Sequence, residues 1–208
     1  TELDRLKDDF LSTVTHELRT PLTSIRSFSE ILHDSPDLDL SERQYFLNII
    51  IKESERLTRL INQVLDLTKM ETGRMKWQIA DVDMSEVIDH SVTSLKGLFQ
   101  ERAVSLDWHR PPSVPVVRAD RDHMIQLVIN LLSNAQKFCP SETGRVVVQL
   151  KAGTSGLLVS VADNGPGIPV HEQEKIFEKF HQVKSGSGNP LGSGLGLAIC
   201  RNIVEHLG

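Results

Sequence analysis

Apolar residues recur every three or four positions at Leu3, Leu6, Phe10, Val14, Leu18, Leu22, Ile25, Phe28 and Leu32, the stripe of a helix that faces a core. The spacing predicts a helix over residues 2–33, followed by a short proline-containing loop over 34–40. A second stripe through Leu47, Ile50, Ser54, Leu57, Ile61, Val64 and Thr68 predicts a second helix that ends near Glu71, with Gly73 just beyond. Ser41 with Gln44 reads as its capping box, and Leu40 against Tyr45 as a hydrophobic staple. Two helices of this length cannot bury both stripes within one chain. A hairpin from each of two chains closes a four-helix bundle, so the pattern predicts a homodimer.

The period changes at about Met75. Alternating and β-branched runs at 76–80, 104–108, 114–118, 145–152 and 157–162 read as strands. Helices are predicted near 85–100 and 120–137, with an apolar helix over 195–207 near the chain end. This is an α/β layer with helices over a mixed sheet. The expected fold class is therefore α+β, with an N-terminal antiparallel helical hairpin forming a dimeric four-helix bundle and an α/β sandwich after it. The domains expected are 1–72 and 75–208, joined by a linker at 71–74. Residues 184–193, KSGSGNPLGS, lack periodicity and are dense in glycine and serine, which reads as a mobile loop and, from its place between candidate nucleotide segments, as a lid.

Composition narrows the partners. The 208 residues carry 23 Lys plus Arg against 28 Asp plus Glu, a formal net charge of −5, so no basic field for nucleic acid is expected. The two cysteines, Cys139 and Cys200, are not spaced as a metal pair; they suit a reducing cytoplasm and read as small buried hydrophobes. No run of 18 apolar residues occurs, so no membrane contact is expected from this segment. Its expected location is cytoplasmic, with a membrane-anchored parent left open.

Candidate chemistry begins with residues 10–20, FLSTVTHELRT, followed at once by Pro21. At roughly 100° per residue His16 falls opposite the apolar stripe, and Thr20 lies one turn later on the same face. Position 20 is Thr, so the second histidine of HExxH is missing and a zinc protease site is excluded. Neutral imidazole is a nucleophile near pH 7, and the adjacent Glu17 can accept the proton of its other ring nitrogen. A histidine that receives a phosphoryl group fits this setting.

Three later segments read together as a nucleotide site. In residues 127–138, LVINLLSNAQKF, Asn130, Asn134 and Lys137 share one face of a helix: two amide oxygens one turn apart suit Mg²⁺, and the lysine suits phosphate. Residues 163–169, DNGPGIP, follow a strand-like run; their glycines allow close approach to a flat ring, and Asp163 can accept from an amino group. Residues 192–197, GSGLGL, open a helix whose N-terminus presents free N–H groups. The run is GxGxG without a βαβ unit around it, and GxxxxGK[ST] is absent, which argues against dinucleotide and P-loop folds.

Taken in order, HELRTP, NLLSNAQKF, DNGPGIP, the phenylalanine segment at 176–180 and GSGLGL resemble the H, N, G1, F and G2 boxes of the sensor histidine kinases of two-component systems. The resemblance covers nearly the whole chain. It implies a sandwich of the histidine-kinase/chaperone ATPase type and an ATP- and Mg²⁺-dependent kinase that passes phosphate to a response regulator. It makes His16 the phospho-acceptor, Glu17 the base and Thr20 the residue that positions water for dephosphorylation of the regulator; Arg19 belongs to the motif without a role of its own. It places Asn130 and Asn134 on Mg²⁺ and phosphates, Lys137 on phosphate and Phe138 against the nucleotide. Asp163 is implied to read the adenine amino group, with Gly165 and Gly167 shaping the pocket. Gly192, Ser193, Gly194, Leu195 and Gly196 belong to the run that closes over the phosphates. The family pattern continues into a glycine turn and a closing strand, whereas this sequence stops at Gly208. Two other classes stay open: an ATP-driven clamp, whose water-activating carboxylate is replaced by Asn130, and a non-catalytic nucleotide-binding scaffold.

Overall fold

The computed structural model describes residues 2–153, 156–183 and 192–207. The chain forms two compact units, Thr1–Gly73 and Arg74–Gly208, the first a helical hairpin and the second an α/β domain. The loop expected over 184–193 lies outside the described residues except for Gly192 and Ser193.

In the first unit, helix α1 (Glu2–Asp34) and helix α2 (Leu40–Glu71) pack side by side. Pro21 sits inside α1 and is fully buried, and the helix continues through it. Phe28 stacks on Phe46 at a centroid distance of 5.4 Å. On α2 the deepest burial runs through Leu60 and Leu67. The stripe read from the sequence passes one position away through Ile61 and Thr68, both of which are exposed. Leu22, expected on the core stripe of α1, is also exposed. Each helix carries a wider apolar arc than one partner helix covers, so periodicity alone does not say which part of the arc faces inward.

The start of α2 also differs from the reading. Asp39 is the N-cap, its carboxylate accepting from the Glu42 N–H at 2.8 Å, and Ser41 donates its hydroxyl to the same carboxylate at 2.7 Å. The cap therefore lies two residues before Ser41, on the Glu42 N–H rather than on that of Gln44. Leu40 and Tyr45 both stand in solvent, so no staple forms. At the other end Gly73 adopts φ +64°, the left-handed turn that stops the helix.

The second unit runs β1 (Ile79–Val82), α3 (Met84–Glu101), β2 (Ser105–Trp108), β3 (Val117–Asp120), α4 (Arg121–Phe138), β4 (Arg145–Ala152), β5 (Leu157–Asp163), two single 3₁₀ turns (Val170–Glu172 and Lys175–Phe177) and α5 (Gly196–Leu207). The strands make two sheets rather than one: β1 pairs with β3 antiparallel, and β4 lies between parallel β2 and antiparallel β5. Val146, Val148 and Leu150 of β4 alternate inward against Val87 and Ile88 of α3 and Val128 and Leu132 of α4 in one core.

The first and third strands begin later than predicted. Asp120 explains the register, since its carboxylate accepts from the N–H groups of Gln78 at 2.7 Å and of Asp122 and His123 at the start of α4. It therefore caps α4 and terminates the sheet edge at once. Burial alone would raise the pKa of Asp120, but these N–H groups and the adjacent His123 hold it below the ordinary carboxylate value. Trp77 lies outside the ladder and stacks on His206 with ring centroids 4.1 Å apart.

Candidate functional site

On the hairpin, His16 and Thr20 are exposed and Glu17 is half-buried. Consecutive helical residues point about 100° apart, so the histidine faces outward while the glutamate turns toward the neighbouring helix. Glu17 meets Arg56 of α2, Oε2 to Nη2, at 3.9 Å. The Thr20 hydroxyl donates to the His16 carbonyl at 3.4 Å, the usual back-bond of a helical threonine. Leu11, Ser12, Thr15, His16 and Arg19 line a shallow surface depression.

In the α/β domain the structure brings the other candidate segments together. The half-buried side chains Asn130, Asn134 and Lys137 lie along α4. The Asn130 amide nitrogen donates to the Gly196 carbonyl at 3.3 Å, which joins α4 to the first residue of α5. A Cβ on Gly192 would come within 2.6 Å of Lys137 Nζ, and that ammonium also lies 4.7 Å from the centroid of the Phe138 ring. Phe138 is exposed. Asp163 ends β5 with its carboxylate accepting the Gly165 N–H at 2.8 Å, and a Cβ on Gly165 would meet both that carboxylate and the Phe138 carbonyl within 3.0 Å. Gly167 follows at φ +72°. Ser193 turns its oxygen to the Leu195 N–H at 3.3 Å, and Leu195 is fully buried beneath the glycine run.

Asn130 and Asn134 present amide oxygens, the hard neutral donors that suit Mg²⁺ shared with phosphate. The amide nitrogen of Asn130 is engaged by Gly196, which leaves its oxygen as the acceptor. This donor set fits Mg²⁺.

Three further residues organise the site. Asn164 accepts the Arg145 N–H at 2.7 Å on its oxygen and donates its nitrogen to the Thr143 carbonyl at 2.9 Å, so it rivets the glycine loop to the turn before β4. Arg102 donates to the carbonyls of Gln136, Lys137 and Cys139 at 2.7–3.1 Å, satisfying free acceptors at the end of α4 just where Lys137 and Phe138 stand. Asn164 sits inside a motif that the sequence already marks. Arg102, 34 or more positions away from its partners, carries no such signal. Cys200, the third, is buried beside Asn130, and burial pushes its thiol up to about 11, so it packs there as a small hydrophobe.

Among known families, residues 6–73 match the His Kinase A (phospho-acceptor) domain, and residues 119–208 match the histidine kinase-, DNA gyrase B- and HSP90-like ATPase. Drug sensory protein A of Synechocystis sp. is 36% identical over 98% of this chain and 32% of its own length. The chain thus spans about a third of the curated relatives of this kind. The mycobacterial sensor histidine kinase MprB is 34% identical over 62% of this chain and 80% of the solved one, with a TM-score of 0.51. Histidine kinase ThkA, solved in complex with the response regulator protein TrrA, superposes on 100% of this chain and 57% of its own at a TM-score of 0.72 and 24% identity, a likeness of fold.

Proposed function

Because the chain belongs to the sensor histidine kinases, joining a phospho-acceptor domain to an ATPase domain of that family, we propose that it phosphorylates His16 from ATP and passes the phosphoryl group to an aspartate of a response regulator. One ring nitrogen of His16 attacks the γ-phosphorus while the bond from phosphorus to the bridging oxygen breaks and ADP leaves. Glu17 takes the proton of the other ring nitrogen. The observation that carries this reading is the outward-facing His16 beside a half-buried Glu17 held toward α2.

ATP would lie against α4, the loop after Asp163 and the glycine run before α5. Asp163 would accept from the adenine amino group, with Gly165 and Gly167 leaving room for the ring, and Phe138 would cover the nucleotide. Lys137 would meet phosphate, and the run Gly192, Ser193, Gly194, Leu195 and Gly196 leading into α5 would receive the triphosphate oxygens. Asn130 and Asn134 would hold Mg²⁺, whose positive charge, when bound, offsets that of the transferring phosphoryl group.

A second copy of the chain supplies the cover that the hairpin lacks. Leu11 and Leu22 on α1 and Ile51, Ile61 and Leu65 on α2 stay exposed in the single chain, which supports a four-helix bundle between two protomers. The complex of ThkA with its response regulator supports a receiver domain as the phosphate acceptor. Thr20, one turn from His16, would orient water for the opposing task, dephosphorylation of the regulator.

Incubation with γ-labelled ATP tests the reading. Acid-labile, base-stable label on the protein is expected, because phosphohistidine has that stability. Steady release of phosphate without protein label would point instead to an ATP-driven clamp, and neither signal to a scaffold.

A further inference from the structure

Glu17 does not face α2 alone. Its side chain is 16% exposed, and Arg56 Nη2 stands 3.9 Å from its Oε2. The other guanidinium nitrogen, Nη1, lies 3.7 Å from Oε2 of Glu53, one turn earlier on α2. That Glu53 oxygen is buried and accepts no hydrogen bond among the described residues. Two carboxylates from different helices thus share one cation inside the hairpin. A buried carboxylate oxygen with no hydrogen bond is costly unless a charge compensates it, and Arg56 is the cation the geometry places there.

The lengths of these contacts matter. A guanidinium in bidentate contact with a carboxylate occupies its lone pairs at about 2.7–2.9 Å. At 3.9 Å Arg56 attracts the Glu17 carboxylate without hydrogen-bonding it, so the oxygen is oriented yet still able to accept a proton. We propose that Arg56 is the positioning residue of the phospho-acceptor site: braced by Glu53, it fixes the Glu17 carboxylate in place on α1, next to the residue whose imidazole proton it takes. This rests on the reading of Glu17 as the base.

The test is a double-mutant cycle on the full chain, following the initial rate of label incorporation across ATP concentrations for wild type, Arg56→Gln, Glu17→Gln and the double variant. Arg56→Gln is expected to lower kcat about 5–10-fold with KM for ATP within about twofold, because only the phosphoryl-transfer step uses the pair. In the Glu17→Gln background the same change should cost less than about twofold, since two residues that act through one contact are not additive. Arg56→Lys should recover most of the rate, which controls for loss of the hairpin fold. An equal cost of Arg56→Gln in both backgrounds means a structural role and overturns the proposal. So does an unaffected rate in Arg56→Gln alongside a crippled Glu17→Gln. Wild-type labelling by Glu17→Gln alone would instead remove the base reading itself, an outcome visible before Arg56 is touched.

Discussion

Gly194 and Phe180 are locked together at the backbone: the Phe180 N–H donates to the Gly194 carbonyl at 2.9 Å, and a Cβ on Gly194 would fall 2.7 Å from Phe180 Cα. Phe180 itself adopts φ +60° and Gly194 φ +67°, so two left-handed residues meet where the phenylalanine segment joins the glycine run. Left-handed backbone at a non-glycine residue is strained and persists only when its surroundings fix it. The contact therefore fixes the approach to α5, whose N-terminus would receive the triphosphate.

Gly194→Ala should accordingly cost about 1–3 kcal/mol of domain stability and weaken ATP binding at least about tenfold. Thermal unfolding and nucleotide titration measure the two effects. Gly97 on α3, with open space around it, is the control; Gly97→Ala should be neutral or slightly stabilising. Equal behaviour of the two variants would show that the close approach at Gly194 is unimportant.

Asn134→Asp should lower autophosphorylation on the order of 10²-fold, because it alters Mg²⁺ ligation and adds negative charge beside the triphosphate. Dephosphorylation of a phosphorylated regulator should largely persist, since the residues proposed for it, His16 and Thr20, lie on the hairpin. Rates of both reactions in one preparation check the split. Normal labelling kinetics would refute a metal role for Asn134.

Thr20→Ala should keep autophosphorylation but slow dephosphorylation of the regulator about tenfold, because a hydroxyl one turn from His16 orients water and a methyl group does not. Its bond to the His16 carbonyl is long, at 3.4 Å, so the hydroxyl is only weakly committed to the backbone. Equal dephosphorylation by wild type and variant would leave Thr20 as a helix-surface residue before a proline.

Much of the architecture was legible because it rests on local rules. The two long helices, the turn at Gly73 and the N-terminus of α4 all follow from periodicity and from residues with strong backbone preferences. The glycine positions were legible for the same reason: Gly167, Gly192 and Gly194 occupy positive φ, and Gly165 leaves space that a Cβ would fill. The misreadings have one source in common, competition between neighbouring candidates. Asp39 outranks Ser41 as a cap because it lies two positions earlier in the chain. Leu60 outranks Ile61 because the partner helix, which periodicity does not locate, decides which edge of a broad apolar arc is inside. The β1–β3 boundaries depend on the Asp120 carboxylate reaching Gln78 across 42 positions. Arg102, Asn164 and Arg56 all work through long-range contacts of this kind, and no spacing rule connects them to the residues they hold.

The most direct measurement is label incorporation from γ-labelled ATP into His16→Gln beside wild type, with ATP affinity measured on both. The histidine and the nucleotide residues belong to different units of the chain. The variant is therefore expected to carry no acid-labile label while its ATP affinity stays within about twofold of wild type. Acid-labile label on His16→Gln at the wild-type level would contradict the assignment of His16 as the phospho-acceptor.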